Sequence, residues 1–236
     1  MKPRATSKAM GTTSETDTVM GDAAQTEIGL VAVELLASRL CHDLIGPVGA
    51  IGNGLELLAE ESSRFAGETV TLVTRSAERT AAMLALFRAA FGASGGQPGF
   101  GLGDAQRVIA DVLAGGKITL DWPEESEPGP LGAAKLVLVM LLVASETLPR
   151  GGRIAVRTSQ DRDFSATVTA SGVGVRLTPE LRAALDPAAA ATTLTTRSIH
   201  AYFAAHLCRR QRATLRVDAG TDAVTLTLQL PVDPPG

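Results

Sequence analysis

A run of apolar residues at four- and three-residue spacings, with a proline inside it, constrains this chain more than any other feature. Leu36, Leu40, Leu44, Val48, Ile51, Leu55 and Leu58 fall on one seam of a helix turning about 100° per residue. By the same count Ser38, Arg39, His42, Gly46, Gly49, Asn53 and Glu56 lie on the opposite side, so His42 is expected to face solvent. Within this helix stands the stretch RLCHDLIGPVGAI, Arg39 to Ile51. Pro47 cannot donate to the carbonyl of Asp43 and its ring crowds that carbonyl, so a bend is expected one turn past the histidine. Gly46 and Gly49 each cost a helix about 1 kcal/mol relative to alanine. They leave the turns beyond His42 bare enough for another protein to approach closely.

Arg39 lies three residues before His42 and four before Asp43. It is placed to pair with Asp43 or to meet an incoming phosphoryl oxygen. Taken singly, these features are ordinary: a helical surface histidine, and a solvated ion pair worth a few tenths of a kcal/mol. The combination of His42 with Asp43, Pro47 and a glycine-lined face is what marks the imidazole as a candidate nucleophile.

The rest of the chain narrows the options. At 236 residues it holds one or two domains with ordinary cores. A net charge of -3 and no basic run argue against nucleic acid as a partner. Residues 1–26 are rich in Ser, Thr, Ala and Gly without the apolar core of a signal peptide, and are expected to be a disordered leader of a cytoplasmic protein. The longest apolar run, Leu136 to Ala144, is far short of the roughly 20 residues that cross a bilayer. It predicts a buried helix and no membrane partner. The two cysteines, Cys41 and Cys208, have no CxxC spacing and are expected to be small buried hydrophobes. His200 and His206 are expected on different sides of a helix, which leaves no metal site with Cys208.

Residues 27–93 read as a helical hairpin: the His42 helix, a polar turn from Glu60 to Ala66, and a second helix from about Glu68 to Phe91. That second helix carries Leu72, Ser76, Met83, Leu84, Phe87 and Phe91 on its apolar side, and Gly92 is placed to stop it. Two helices cannot bury both their faces alone, so a homodimeric four-helix bundle is the simple solution. Residues 94–103 are a glycine-rich linker without the Lys-Ser/Thr of a phosphate-binding loop. Residues 104–236 alternate helices (about Asp104 to Ala114, Gly132 to Glu146, Thr195 to Arg210) with strands (Lys117 to Trp122, Arg153 to Thr158, Phe164 to Thr169, Thr214 to Asp218, Ala223 to Leu230). The predicted class is α+β with a mostly antiparallel sheet.

The RLCHD run with Pro47 resembles the phospho-acceptor box of sensor histidine kinases, and the second domain resembles their ATP-binding Bergerat domain. The likeness rests on Leu141 to Thr158, Ala166 to Val175 and His200 to Pro231. The nucleotide chemistry of such domains is not matched. The Asn expected to bind Mg²⁺ on the buried helix has no counterpart, since the one Asn in the chain is Asn53. Ala170 stands where an Asp reads adenine, ahead of Gly172 and Gly174, and Leu185 to Thr196, in the place of the nucleotide lid, contains no glycine.

An acceptor histidine on a kinase-like shape without these groups resembles the ChpT family of dimeric histidine phosphotransferases, over about Val33 to Pro231. RLCHD, Pro47 and the AFGAS run from Ala90 to Ser94 fit that family. The resemblance implies a dimeric four-helix bundle joined to a degenerate Bergerat α/β sandwich. His42 would attack an aspartyl phosphate, Asp43 would hold its tautomer or assist proton movement, and Arg39 would supply charge. Gly46, Gly49, Asn53 and Glu56 would shape the docking face. It implies no cofactor or metal of the chain's own, with Mg²⁺ carried by the partner receiver. The implied partners are a CckA-like hybrid-kinase receiver upstream and CtrA-like and CpdR-like regulators downstream. Gly46 departs from related kinases, which carry Thr or Asn there when they act as phosphatases. Two other readings are a histidine kinase with an unorthodox ATP site and a non-catalytic protein that sequesters receivers or kinases.

Overall fold

Helix α1 spans Met20–Ala59 and runs through Pro47 without a break. It begins inside the expected leader, because Asp22 to Thr26 include two alanines and no proline to stop a helix growing back from residue 27. The computed structural model describes residues 20–59, 66–123 and 129–231, so the rest of the leader and residues 60–65 of the expected turn lie outside the described residues. Helix α2, Ala66–Ala90, packs along α1. Gly54 is buried at their contact, where a Cβ would come within 2.4 Å of Val73 Cγ2.

The hairpin is buried unevenly. Ser76, Met83, Leu86, Phe87, Ala89 and Ala90 of α2 are buried, and Leu36, Leu40 and Leu44 of α1 pack against the same core. Val48 and Leu55 of the α1 seam, however, are about half exposed, as are Leu72 and Leu84, which were expected on the apolar side of α2. The physical reason is geometric: Val48, Leu55 and Leu72 lie farther along the hairpin than the part that joins the core, whereas Leu84, between the buried Met83 and Leu86, is on the side of α2 turned away from that core.

A tight turn follows α2, including a 3₁₀ turn at Ser94–Gly96. Gly95 is buried there with the Ala89 carbonyl oxygen 1.9 Å from where a Cβ would sit. Helix α3, Leu102–Leu113, starts two residues earlier than expected because the Asp104 carboxylate accepts the Gly101 N–H at 2.9 Å and fixes the start there. Strand β1 is Ile118–Asp121 and helix α4 is Ala133–Glu146. Strands β2 (Gly152–Gln160) and β3 (Phe164–Ser171) come next. A short helix α5, Pro179–Ala184, was not anticipated; Thr178 caps it through its hydroxyl and Pro179 begins it, a start signal readable in TPEL. Helix α6, Ile199–Arg210, begins later than expected because Thr195 and Ser198 bond each other's backbone in a turn that competes with helix. Strands β4 (Thr214–Ala219) and β5 (Ala223–Leu230) close the fold.

The sheet order is β1-β2-β3-β5-β4, with β1 and β2 parallel across the α4 crossover and every other pair antiparallel. Alternation along β3 and β5 turns Phe164, Ala166, Val168 and Ala170, and Val224, Leu226, Leu228 and Leu230, toward a layer formed by α3, α4 and α6. Helix α4 is apolar on all sides, and Leu136 through Leu141 are at most 1% exposed. It contacts the sheet, α3, α6 and α2. The α+β class, with N-terminal helices and a C-terminal five-stranded sheet, is therefore that expected from the sequence.

Gly95→Ala should lower stability by about 1–3 kcal/mol, since a methyl group would overlap a backbone carbonyl that cannot move without unwinding the end of α2. Denaturant titration of the variant beside wild type checks this; an unchanged midpoint would mean the α2–α3 turn is not packed as described.

Candidate functional site

His42 projects from α1 with its side chain 83% exposed, and its Nδ1 lies 3.0 Å from Asp43 Oδ1. A carboxylate only accepts, so this contact favours the tautomer with hydrogen on Nδ1 and leaves the Nε2 lone pair free. Asp43 is held in turn: Arg39 Nε donates to its Oδ2 at 2.8 Å. Arg39 does not reach outward. Its Nη2 is 2.5 Å from Glu146 Oε1 and its Nη1 is 3.4 Å from the Thr196 carbonyl. Of the two roles open to Arg39, the structure gives pairing with Asp43, and its remaining donors are directed into the second domain.

Glu146 was not anticipated from the sequence. It is the last residue of α4, where the all-apolar helix reaches its first carboxylate, and its signal was only that a charge ends an apolar run. Burial pushes its carboxyl above the usual range, with the Arg39 cation pulling the other way. Burial also works against the Arg39 charge, but its bonds to Asp43 and Glu146 outweigh that cost and raise its pKa. Beneath this pair His200 is 2% exposed, its Nδ1 3.7 Å from Glu146 Oε1 and its ring stacked on Phe91 with centroids 5.5 Å apart. Neither of its nitrogens has a hydrogen-bond partner among the described residues. His206 faces elsewhere, against the Tyr202 ring at 3.9 Å.

A cleft of about 730 Å³ opens beside His42, lined by Arg39, Glu146, Pro149, Arg176, Thr178 and Arg197 among others. The segment expected as a nucleotide lid forms a 3₁₀ turn at Ala191–Thr193 that packs on α1, with Ala191 and Leu194 buried. Ala170 lies wholly buried in β3, and Asn53 sits on α1, remote in the chain from α4. Gly46, Gly49, Asn53 and Glu56 are all exposed on α1 beyond His42, as expected. Cys41, expected to be buried, is instead exposed, because the residue before His42 on α1 also turns away from the core, whereas Cys208 is buried with its thiol pushed up to about 12 by burial.

The model of the histidine phosphotransferase C-terminal domain matches residues 102–223. The protein phosphotransferase ChpT of Brucella abortus (strain 2308) is 32% identical over 197 residues, covering 83% of this chain and 93% of that protein. The chain belongs to the ChpT histidine phosphotransferase family. A solved bacterial phosphotransferase is similar to this ChpT-family chain at a TM-score of 0.72 and 33% identity, covering 84% of this chain and 96% of that one. The histidine kinase domain of the Erythrobacter litoralis EL346 blue-light activated histidine kinase is a looser likeness, TM-score 0.41 at 15% identity, over 78% of this chain and 95% of that one.

Burial holds His200 down to about 4 from 6.5, aided by the Arg39 cation and opposed by Asp43. The unfolded ChpT-family chain therefore takes a proton on this ring at a higher pH than the folded one, so the stability that a neutral His200 contributes is full above about pH 6.5 and is lost as pH falls toward about 4. His200→Phe keeps the stack on Phe91 and should remove this share, on the order of 2 kcal/mol at about pH 5. Denaturation midpoints at about pH 7 and pH 5 check it; an equal acid loss in both proteins would place the pH dependence elsewhere.

Proposed function

We propose that this protein relays phosphoryl groups between the aspartates of receiver domains in a two-component phosphorelay, through a phosphohistidine at His42 and without using ATP. The observation that carries the reading is the exposed His42 with Nδ1 on Asp43 and Nε2 left free. The Nε2 lone pair attacks the phosphorus of a receiver's aspartyl phosphate; the N–P bond forms as the P–O bond breaks, and the carboxylate leaves. In the second step a carboxylate of another receiver attacks the same phosphorus and the N–P bond breaks. Such transfer asks mainly for in-line placement and charge stabilisation. Mg²⁺ in the receiver's acidic pocket supplies most of that charge, so the chain carries no metal of its own.

Several features support the parts of this reading. The exposed face beyond His42 is open: a Cβ at Gly46 or Gly49 would meet nothing within 4 Å. The helix bears the cost of these glycines without any return from packing in this chain, which suits a surface shaped for another protein. Asn53 and Glu56 continue that face with polar groups. Ala170, the missing Asn on α4 and the glycine-free segment packed against α1 all weigh against a nucleotide. The half-exposed Val48, Leu55, Leu72 and Leu84 favour a homodimer through the hairpin, with residues 27–93 as its dimerisation and transfer unit. Residues 94–103 then link this unit to 104–236. We place the protein in the cytoplasm with a CckA-like donor and CtrA-like and CpdR-like acceptors; among the described residues no helix is long and apolar enough to cross a membrane.

Wild-type protein mixed with a labelled phospho-receiver should take up acid-labile, base-stable label and pass it to a second receiver, while Mg-ATP should give none. His42→Gln should abolish transfer and leave the fold intact, since little of that side chain is packed. Asp43→Asn should slow transfer by less. Label passing through His42→Gln at the wild-type rate would end the relay reading.

Light scattering at tens of micromolar should give twice the chain mass for wild type, and Leu55→Glu with Leu84→Glu should shift it to monomer or aggregate. A monomeric wild type would count decisively against the bundle.

A further inference from the structure

We propose that Glu146, in the second domain, is a positioning residue for the acceptor imidazole: acting through Arg39 and Asp43, it fixes which nitrogen of His42 is free to react. The inference rests on His42 being the phosphoryl acceptor.

The path is short and every step is polar. Glu146 Oε1 takes Arg39 Nη2 at 2.5 Å, Arg39 Nε donates to Asp43 Oδ2 at 2.8 Å, and Asp43 Oδ1 is 3.0 Å from His42 Nδ1. Arg39, Asp43 and Glu146 are each about one-fifth exposed, whereas His42 is 83% exposed. The first three are thus screened from water while the last is presented to a partner.

An isolated pair four residues apart on a helix holds its geometry only part of the time, because a long arginine side chain samples many rotamers. Here α1 alone supplies Asp43, one side of the guanidinium. The other side is held by the second domain, through the Glu146 carboxylate and the Thr196 carbonyl. With its planar fork bonded in three directions, Arg39 has one arrangement, and so does the Asp43 carboxylate. Asp43 Oδ1 is then aimed at Nδ1, which keeps its hydrogen and leaves Nε2 as the nucleophile.

The surroundings of Glu146 leave Arg39 as its close cation. His200, on its inner side, is held neutral by burial, and the other charges acting on Glu146 are the Asp43 carboxylate, which opposes its ionisation, and then Arg197, which favours it. Removing the Glu146 carboxylate frees one arm of Arg39 without removing Asp43 from His42. A residue that merely latches the two domains would alter stability or receiver affinity when replaced. A positioning residue alters the imidazole itself.

The test uses the full chain labelled with ¹⁵N-histidine, in which three histidines give an assignable spectrum. At about pH 8, above the ordinary imidazole range, wild-type His42 should show a protonated Nδ1 and a pyridine-like Nε2. Glu146→Ala should mix the two tautomers and slow the saturating rate of transfer from a phospho-receiver by about tenfold, with the half-saturating receiver concentration within about twofold. Glu146→Gln, which can still accept from Arg39, should fall between the two and folds even if the alanine variant does not. Unchanged His42 nitrogen shifts in the folded variants would overturn the proposal, as would a loss confined to receiver affinity. The shifts are read with no phosphoryl donor present, so they judge Glu146 even if His42→Gln shows that transfer bypasses this histidine.

Discussion

Helix α4 is the constraint on which the rest of the structure depends. A helix apolar around its whole circumference has no face to give to water, so it must be covered on every side. The sheet supplies one side, α3 and α6 flank it, and the end of α2 closes the remainder. This requirement draws the hairpin onto the sheet domain: Met83, Leu86, Phe87 and Ala90 are buried in the same core as Leu136 to Leu141. The site depends on that docking, because it brings the C-terminal end of α4 beside the middle of α1.

At that end the apolar core meets its first carboxylate. Glu146 is too buried to stand alone, and an unpaired charge in such a place is expensive. Arg39 answers it from α1 and is at the same time the partner of Asp43. One guanidinium therefore serves two carboxylates from two parts of the chain. The same contact carries domain packing and local electrostatics, and His42 is the exposed end of it. The segment from Leu185 to Thr196 contributes from the other direction, with Thr196 supplying a carbonyl to Arg39 and the 3₁₀ turn lying on α1. In this member of the ChpT family a stretch with no glycine to cradle phosphate is used as packing.

The two faces of the hairpin show opposite physics. Near the sheet domain the helices are covered by their own chain, and toward the far end of the hairpin Gly54 allows α1 to approach α2 closely. Farther out, apolar side chains stand half exposed, and the glycines after His42 have open space where a side chain would be. Exposed leucines and valines at helical spacing call for an apolar partner, whereas a bare glycine face beside an imidazole calls for close approach by a polar one.

Much of this was legible in the sequence because it depends on local periodicity. The spacing of Leu36, Leu40 and Leu44 set the side of α1 that faces the core and hence the exposure of His42; the unbroken run from Leu136 set the burial of α4; alternation set β3 and β5. The pairing of Arg39 with Asp43 was legible too, since four residues on a helix bring two side chains together whatever the surroundings. What sequence could not determine were the contacts between segments far apart in the chain. Glu146 meets Arg39 across more than a hundred residues, His200 is buried against Phe91 from yet another helix, and Leu72 is left half exposed because it lies beyond the part of the hairpin that joins the core. Periodicity fixes which side of a helix is apolar, but only the tertiary packing decides what that side meets, and a polar group's role depends on what it meets.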